Sequence, residues 1–176
     1  MKRIAGFLLC VLAAGCGYSA TSMLPAGYRT VYVEPFKNEI PITEEVSERT
    51  GLQTSLPNLE EDVTRGVIDR FLFDGNLRVT TDVNKADLVL QGALTDFYRQ
   101  AVRRDDSQNT EEYRLNLVAT LKLRDRNGKP LWGPITLVGD STYFLTGSSA
   151  VSESTAVRGL ITDFSRRVVE KVIENW

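Results

Sequence analysis

The sequence predicts an α+β fold: a two-layer sandwich with a mainly antiparallel sheet of four to five strands, long hairpins and two amphipathic helices over one face, in the order β-α-β-β-β-β-α. Three observations predict it. Residues 112–126 alternate apolar and polar side chains with period two. Segments 58–74 and 152–175 repeat apolar residues every three to four positions. Three long strand-like runs follow one another with turn signals between them, the pattern of an antiparallel meander.

Taken in order, residues 28–36 are rich in β-branched and aromatic side chains and read as a first strand. Pro35 suits its end or an edge, since proline cannot donate to a ladder. Residues 37–57 contain Pro41, Gly51 and Pro57 among charged residues and read as a loop, with at most one helical turn near 43–49. Asn58 and Glu61 have capping-box spacing at the start of a helix. Its apolar stripe is Leu59, Val63, Val67 and Phe71 with Ile68 and Leu72, and Gly75 is the expected stop. Residues 77–81 read as a short strand and 86–99 as a long one. Residues 100–110 are polar and read as an extended hairpin tip.

In the strand at 112–126, Tyr113, Leu115, Leu117, Ala119, Leu121 and Leu123 share one face. Arg114, Asn116, Val118, Thr120, Lys122 and Arg124 share the other, which meets water or a partner. Asn127-Gly128 is a strong hairpin signal. The returning strand at 131–145 carries an irregularity at Gly133-Pro134. Gly147 to Ser149 break the chain, and a second helix at about 152–175 has the stripe Val157, Leu160, Ile161, Phe164, Val168 and Val172. Ser148, Ser149 and Ser152 read as helix-capping residues. Arg166, Arg167 and Lys171 read as cations placed to complement its dipole.

The chain has 176 residues, opening with Lys2 and Arg3 and an uncharged run of twelve residues, 4–15, that ends Ala13-Ala14-Gly15 before Cys16. A span needs ~20 apolar residues, so this run is too short to cross a bilayer. It has the size of a secretory h-region, ~7–15 residues, and small residues before a cysteine suit a lipoprotein signal peptidase. The expected organisation is a signal peptide at 1–15, a lipidated tether at 16–27 and one domain at 28–176. Cys16 would carry a diacylglyceryl group and an N-acyl chain, two anchors being what stable membrane attachment requires. Gly17 stands where an aspartate would hold a bacterial lipoprotein at the inner membrane, so an outer-membrane location is expected.

The only other cysteine, Cys10, lies in the signal, and the chain has no histidine. The mature chain then has neither a thiol–imidazole pair nor a Cys/His zinc site, and an enzyme is not expected. No cofactor is expected beyond the covalent lipid. The net charge of −2 becomes −4 once Lys2 and Arg3 are removed, which argues against general nucleic-acid binding.

The blocks Cys16-Gly17-Tyr18, Leu24-Pro25, the run from Val31 to Asn38, the run from Ala86 to Gly92 and the hairpin from Tyr113 to Trp132 come in an order that resembles the LptE family of outer-membrane lipopolysaccharide-assembly lipoproteins. The resemblance covers nearly the whole mature chain. It implies that the protein sits in the lumen of an LptD-like outer-membrane β-barrel, plugs it, helps assemble it and contacts lipopolysaccharide. A barrel lumen is polar, so a wettable sheet face fits that role. Lipid A carries phosphates that Arg and Lys can pair with. The basic residues Arg99, Arg103, Arg104, Arg114, Lys122 and Arg124 are therefore the expected lipopolysaccharide contacts, with Arg99 near Arg114 across the hairpin. The alternative is a lipid carrier or transporter accessory facing the periplasm, which requires a large apolar cavity between sheet and helices. Trp132 reads as core packing beside a turn rather than a partner anchor, and Asp87 and Glu34 as salt-bridged or exposed charges rather than an acid pair.

Overall fold

The computed structural model describes residues 27–41 and 56–174. Cys16, the signal and most of the tether lie outside the described residues, as does the helical turn considered at 43–49. The elements are β1 (Thr30–Val33), β2 (Lys37–Asn38), α1 (Leu59–Asp74), β3 (Arg78–Val79), a 3-10 turn (Val83–Lys85), β4 (Leu88–Arg104), β5 (Thr110–Asp125), β6 (Pro130–Phe144) and α2 (Glu153–Glu174). The α+β sandwich is as expected, with six strands rather than four to five. The added strand is β2, inside the segment read as a loop. Only two residues long, it gives no alternation to detect.

The sheet runs β3-β1-β4-β5-β6, with β2 beside β4 further along. β1, β2 and β3 pair in parallel, while β4, β5 and β6 form the antiparallel meander. Strand β1, helix α1 and strand β3 make a parallel crossover unit. α2 packs on β6 and β5 and against α1. The core lies between the sheet and these helices. Leu88, Leu90 and Leu94 of β4, Leu115, Leu117, Leu121 and Leu123 of β5, Phe71 of α1 and Phe164 of α2 are fully enclosed there.

Both helices bury most of the expected stripe, with two departures. Asn58 does not form a capping box: it is left-handed, at φ 61°, and makes no side-chain cap bond. A cap side chain must start from extended backbone to reach the N2 or N3 amide. Here the Asn58 carbonyl takes the Glu61 and Asp62 amides instead. Leu72, expected in the stripe, faces outward because α1 ends before a neighbouring element covers it. Gly75 stops the helix at φ 76°, donating to the Phe71 carbonyl. In α2, Ser152 Oγ accepts the Thr155 amide, the capping role expected of it.

Strand β4 extends five residues beyond the expected end at Arg99, so the polar tip shrinks to residues 105–109. That turn and the one at 125–129 are built alike. Asp105 accepts the Ser107 and Asn109 amides, and Asp125 accepts those of Asn127 and Lys129. The left-handed position falls on Gln108 in one and Gly128 in the other.

Candidate functional site

The expected contact residues all come from β4 and β5, and one extra residue in β4 decides where they point. Leu94 pairs with Ala119 and Asp96 with Val118, which leaves Thr95 as a bulge. Before it, Leu88, Leu90 and Leu94 face the helices. After it the parity changes, and Phe97, Arg99 and Ala101 face the helices, opposite Leu117, Leu115 and Tyr113. An unbroken ladder would set Arg99 opposite Arg114. The bulge sets Arg99 opposite Leu115 and Gln100 opposite Arg114, so the expected neighbours lie on opposite faces.

Arg99 is therefore a clasp at the end of the core. Its guanidinium reaches Glu153 at the start of α2 at 3.4 Å and stacks over the Tyr113 ring at 4.2 Å. Tyr143 lies beside Tyr113, ring centroids 5.9 Å apart, and its hydroxyl donates to Glu153. Burial raises the Tyr143 hydroxyl above its ordinary pKa. Glu153, Tyr113 and Tyr143 escape sequence reasoning as partners of Arg99 because only the folded hairpin brings them within reach.

Three cations remain on the open face of β5. Arg114 lies 4.0 Å from Asp140, Arg124 lies 3.2 Å from Glu34, and Lys122 carries no ion pair among the described residues. Lys122 lines an open cleft of about 240 Å³ with Lys37, Glu34, Gln91 and Gly92, where β1 gives way to β2. Arg103 and Arg104 sit at the hairpin tip, Arg103 4.0 Å from Glu111 and Arg104 donating to the Gln108 carbonyl. The six cations thus do not form one cluster. They divide into a clasp, an open-face row and a tip, because the strands are long and the bulge separates their faces.

The open face is polar but partly closed by its own side chains. Asn116, expected to be exposed, is 7% accessible between Tyr98 and Asp140, with its amide nitrogen unpaired. Arg166 and Arg167 lie mid-helix rather than in the last turns, where they form ion pairs. Arg167 bridges Asp163 and Asp140 at 2.6 Å each, and Arg166 bridges Asp163 and Glu170. Asp163 also accepts the Asp140 amide, tying α2 to the free edge of β6. Burial opposes ionisation of Asp163, but bonds from Arg166, the Asp140 amide and Arg167 outweigh it and hold the carboxyl below its usual range.

Asp87 and Glu34 are salt-bridged, to Arg126 at 2.7 Å and to Arg124, and belong to no common site. Trp132 is half-buried against the core, as expected of a packing residue. A second cleft, of about 540 Å³, opens beside α1 at Phe36, Thr64 and Ile68. It lies at the surface, whereas the space between sheet and helices is filled by side chains. Among the described residues, no helix is long and apolar enough to cross a membrane.

Residues 28–175 match the family model LptE, described as lipopolysaccharide-assembly. No curated protein sequence matches the chain. Its fold is similar to that of a minor lipoprotein from Acinetobacter baumannii, at 17% identity and a TM-score of 0.51, covering 84% of this chain and 94% of that one. It is similar also to lipoprotein B of Nitrosomonas europaea, at 13% identity and 0.51, covering 85% and 84%. A protein from Xanthomonas campestris has 10% identity and a TM-score of 0.55, covering 85% and 88%. At these identities the likeness is one of fold.

Proposed function

Since the chain belongs to the LptE lipopolysaccharide-assembly family, we propose that it is the lipid-anchored subunit of an outer-membrane translocon, docked in the lumen of an LptD-like barrel. The signal at 1–15 is removed, Cys16 carries the acyl chains, and the domain faces the periplasm and the barrel lumen. It plugs the barrel, assists its assembly and contacts lipopolysaccharide. The observation that carries this reading is the sheet face that neither helix covers, whose polar side chains suit a wet lumen. The meander continues past the end of the core into a hairpin tip with Arg103 and Arg104.

The lipopolysaccharide contact is assigned to the tip and open-face cations: Arg103, Arg104, Arg114, Lys122 and Arg124. Arg99 is reassigned to holding β4 against α2. Charge reversal of Arg103, Arg104 and Lys122 together is expected to weaken binding of purified lipopolysaccharide at least tenfold, about 1.4 kcal/mol. Arg99→Lys is expected to lower stability and leave binding by the folded protein within twofold. Unchanged binding in the triple variant removes the assignment. The barrel partnership is tested with a C-terminal affinity tag after mild detergent extraction: a stoichiometric outer-membrane barrel supports it, and recovery alone or as a lipid-loaded monomer overturns it.

A further inference from the structure

We propose that the end of the domain next to the tether is a membrane-contact surface, in which Leu72 and Phe73 enter the headgroup region of the anchoring leaflet, flanked by Arg29, Arg78, Lys85 and Arg126. The proposal rests on the reading that Cys16 is acylated. Leu72 is 63% exposed and Phe73 81%, and both precede Gly75 at the end of α1. Among the described residues these are the most exposed large apolar side chains. The Arg70 guanidinium lies 5.2 Å from the Phe73 ring centre.

This end is also where the domain meets its tether. Arg78, three residues past Gly75, pairs with Thr30, the first residue of β1, and its amide donates to the Arg29 carbonyl. Asp87 accepts the Thr30 hydroxyl and the Arg29 and Thr30 amides and binds Arg126, and the Lys85 carbonyl lies 3.2 Å from the same hydroxyl. The apolar pair and these four bases are therefore gathered around the start of β1. From Cys16 to Gly27 are twelve residues, which in any conformation reach at most ~40 Å. The hairpin tip lies at the other end of β4, whose seventeen residues span ~55 Å. A tether of that reach keeps the Leu72–Phe73 end near the bilayer.

The charge arrangement favours a phospholipid surface over a protein groove. Four acids at this end are held by local partners. Asp74 accepts the Asn76 amide, and Asp82 accepts that of Asn84 and pairs with Lys85 at 3.4 Å. Asp87 accepts those of Arg29 and Thr30 and pairs with Arg126 at 2.7 Å, and Asp125 accepts those of Asn127 and Lys129. Arg29 and Arg78 are left without an ion pair among the described residues. The basic side chains at Arg29, Arg78, Lys85 and Arg126 are exposed. Apolar tips ringed by cations match a headgroup layer containing anionic lipid.

The test uses the full chain, processed in a bacterium and reconstituted into vesicles of phosphatidylethanolamine and phosphatidylglycerol. Acylation of Cys16 leaves the mature chain without another thiol, so Phe73→Cys takes a polarity-sensitive dye at one site. Val102→Cys, exposed near the far hairpin tip, is the control, and Leu72→Cys is a second probe of the patch. Brominated lipid is expected to quench the probes at 72 and 73 at least threefold more than that at 102. Replacing phosphatidylglycerol by phosphatidylcholine is expected to reduce that quenching. Flotation with the vesicles is read in the same sample. If the protein floats but the three probes are quenched equally, the contact surface is wrong while the anchor stands. If it does not float, the anchor reading fails and the contact surface fails with it.

Discussion

Asp87 shows how one side chain can organise a junction. It accepts the Arg29 and Thr30 amides at 3.0 Å and the Thr30 hydroxyl at 2.8 Å, and pairs with Arg126. Burial works against its ionisation, but the bonds from Arg29 and Thr30 and the Arg126 charge outweigh that and lower its pKa. A depressed folded pKa stabilises the fold above the unfolded value of about 3.9, and that stabilisation is lost as pH falls through the folded value. Asp87→Asn is expected to cost ~1–2 kcal/mol at pH 7 and to flatten the loss of stability below pH 4, as measured by urea midpoints from pH 7 to 2. An unchanged acid slope counts against this role. Gly139 has a different constraint. A Cβ there would come 2.6 Å from Phe164 Cβ and 2.8 Å from its Cα, so the backbone of α2 would have to move. Gly139→Ala is expected to cost about 1–3 kcal/mol in urea unfolding, although it raises strand propensity.

At the scale of elements, the bulge at Thr95 decides more than any single contact. It lets β4 present Leu90 and Leu94 on one side of the kink and Phe97 and Arg99 on the other to the same helices. Inserting one alanine between Val118 and Ala119 of β5 would give Thr95 a partner, close the ladder and turn Phe97 and Leu117 out of the core, whereas deleting Thr95 would keep Phe97 opposite Leu117 and Arg99 opposite Leu115. The expected cost of the insertion is at least ~3 kcal/mol, the range for losing a buried phenylalanine, read from urea midpoints. An insertion variant as stable as the parent would show that the hairpin tolerates either parity. The ion pairs of Asp163 and Arg167 with Asp140 perform another element-scale task. They fold α2 over part of the β6 edge, where exposed N–H and C=O groups would otherwise invite another strand.

At the scale of the whole molecule, one core joins everything: Val31 and Val33 of β1, Leu88 of β4, Leu123 of β5, Val67 of α1 and Val168 of α2 belong to one contiguous cluster. The helices therefore have no separate core on which to fold. Far-ultraviolet circular dichroism and tryptophan fluorescence are expected to report a single coincident urea transition, and separated midpoints would contradict that unity. The long hairpin outside the core is the exception. Its tip strands rest on ladder bonds and the Arg99 clasp, so their amides are expected to exchange fastest within the meander.

The sequence by itself determined the α+β class, the two helix stripes, the meander and its turns, because each is written in a local period or a turn residue. It pointed to the family through short blocks in order, and to the cations of β4 and β5 as residues of interest. Only the tertiary structure decided which of them share a face. One bulged residue in β4 inverts the side-chain parity beyond it, and the sequence carries no mark at Thr95 to announce the change. β2 was hidden because two residues cannot display a period. The exposed Leu72 was hidden because a helical stripe records which residues could be buried, while burial depends on whether another element arrives to cover them.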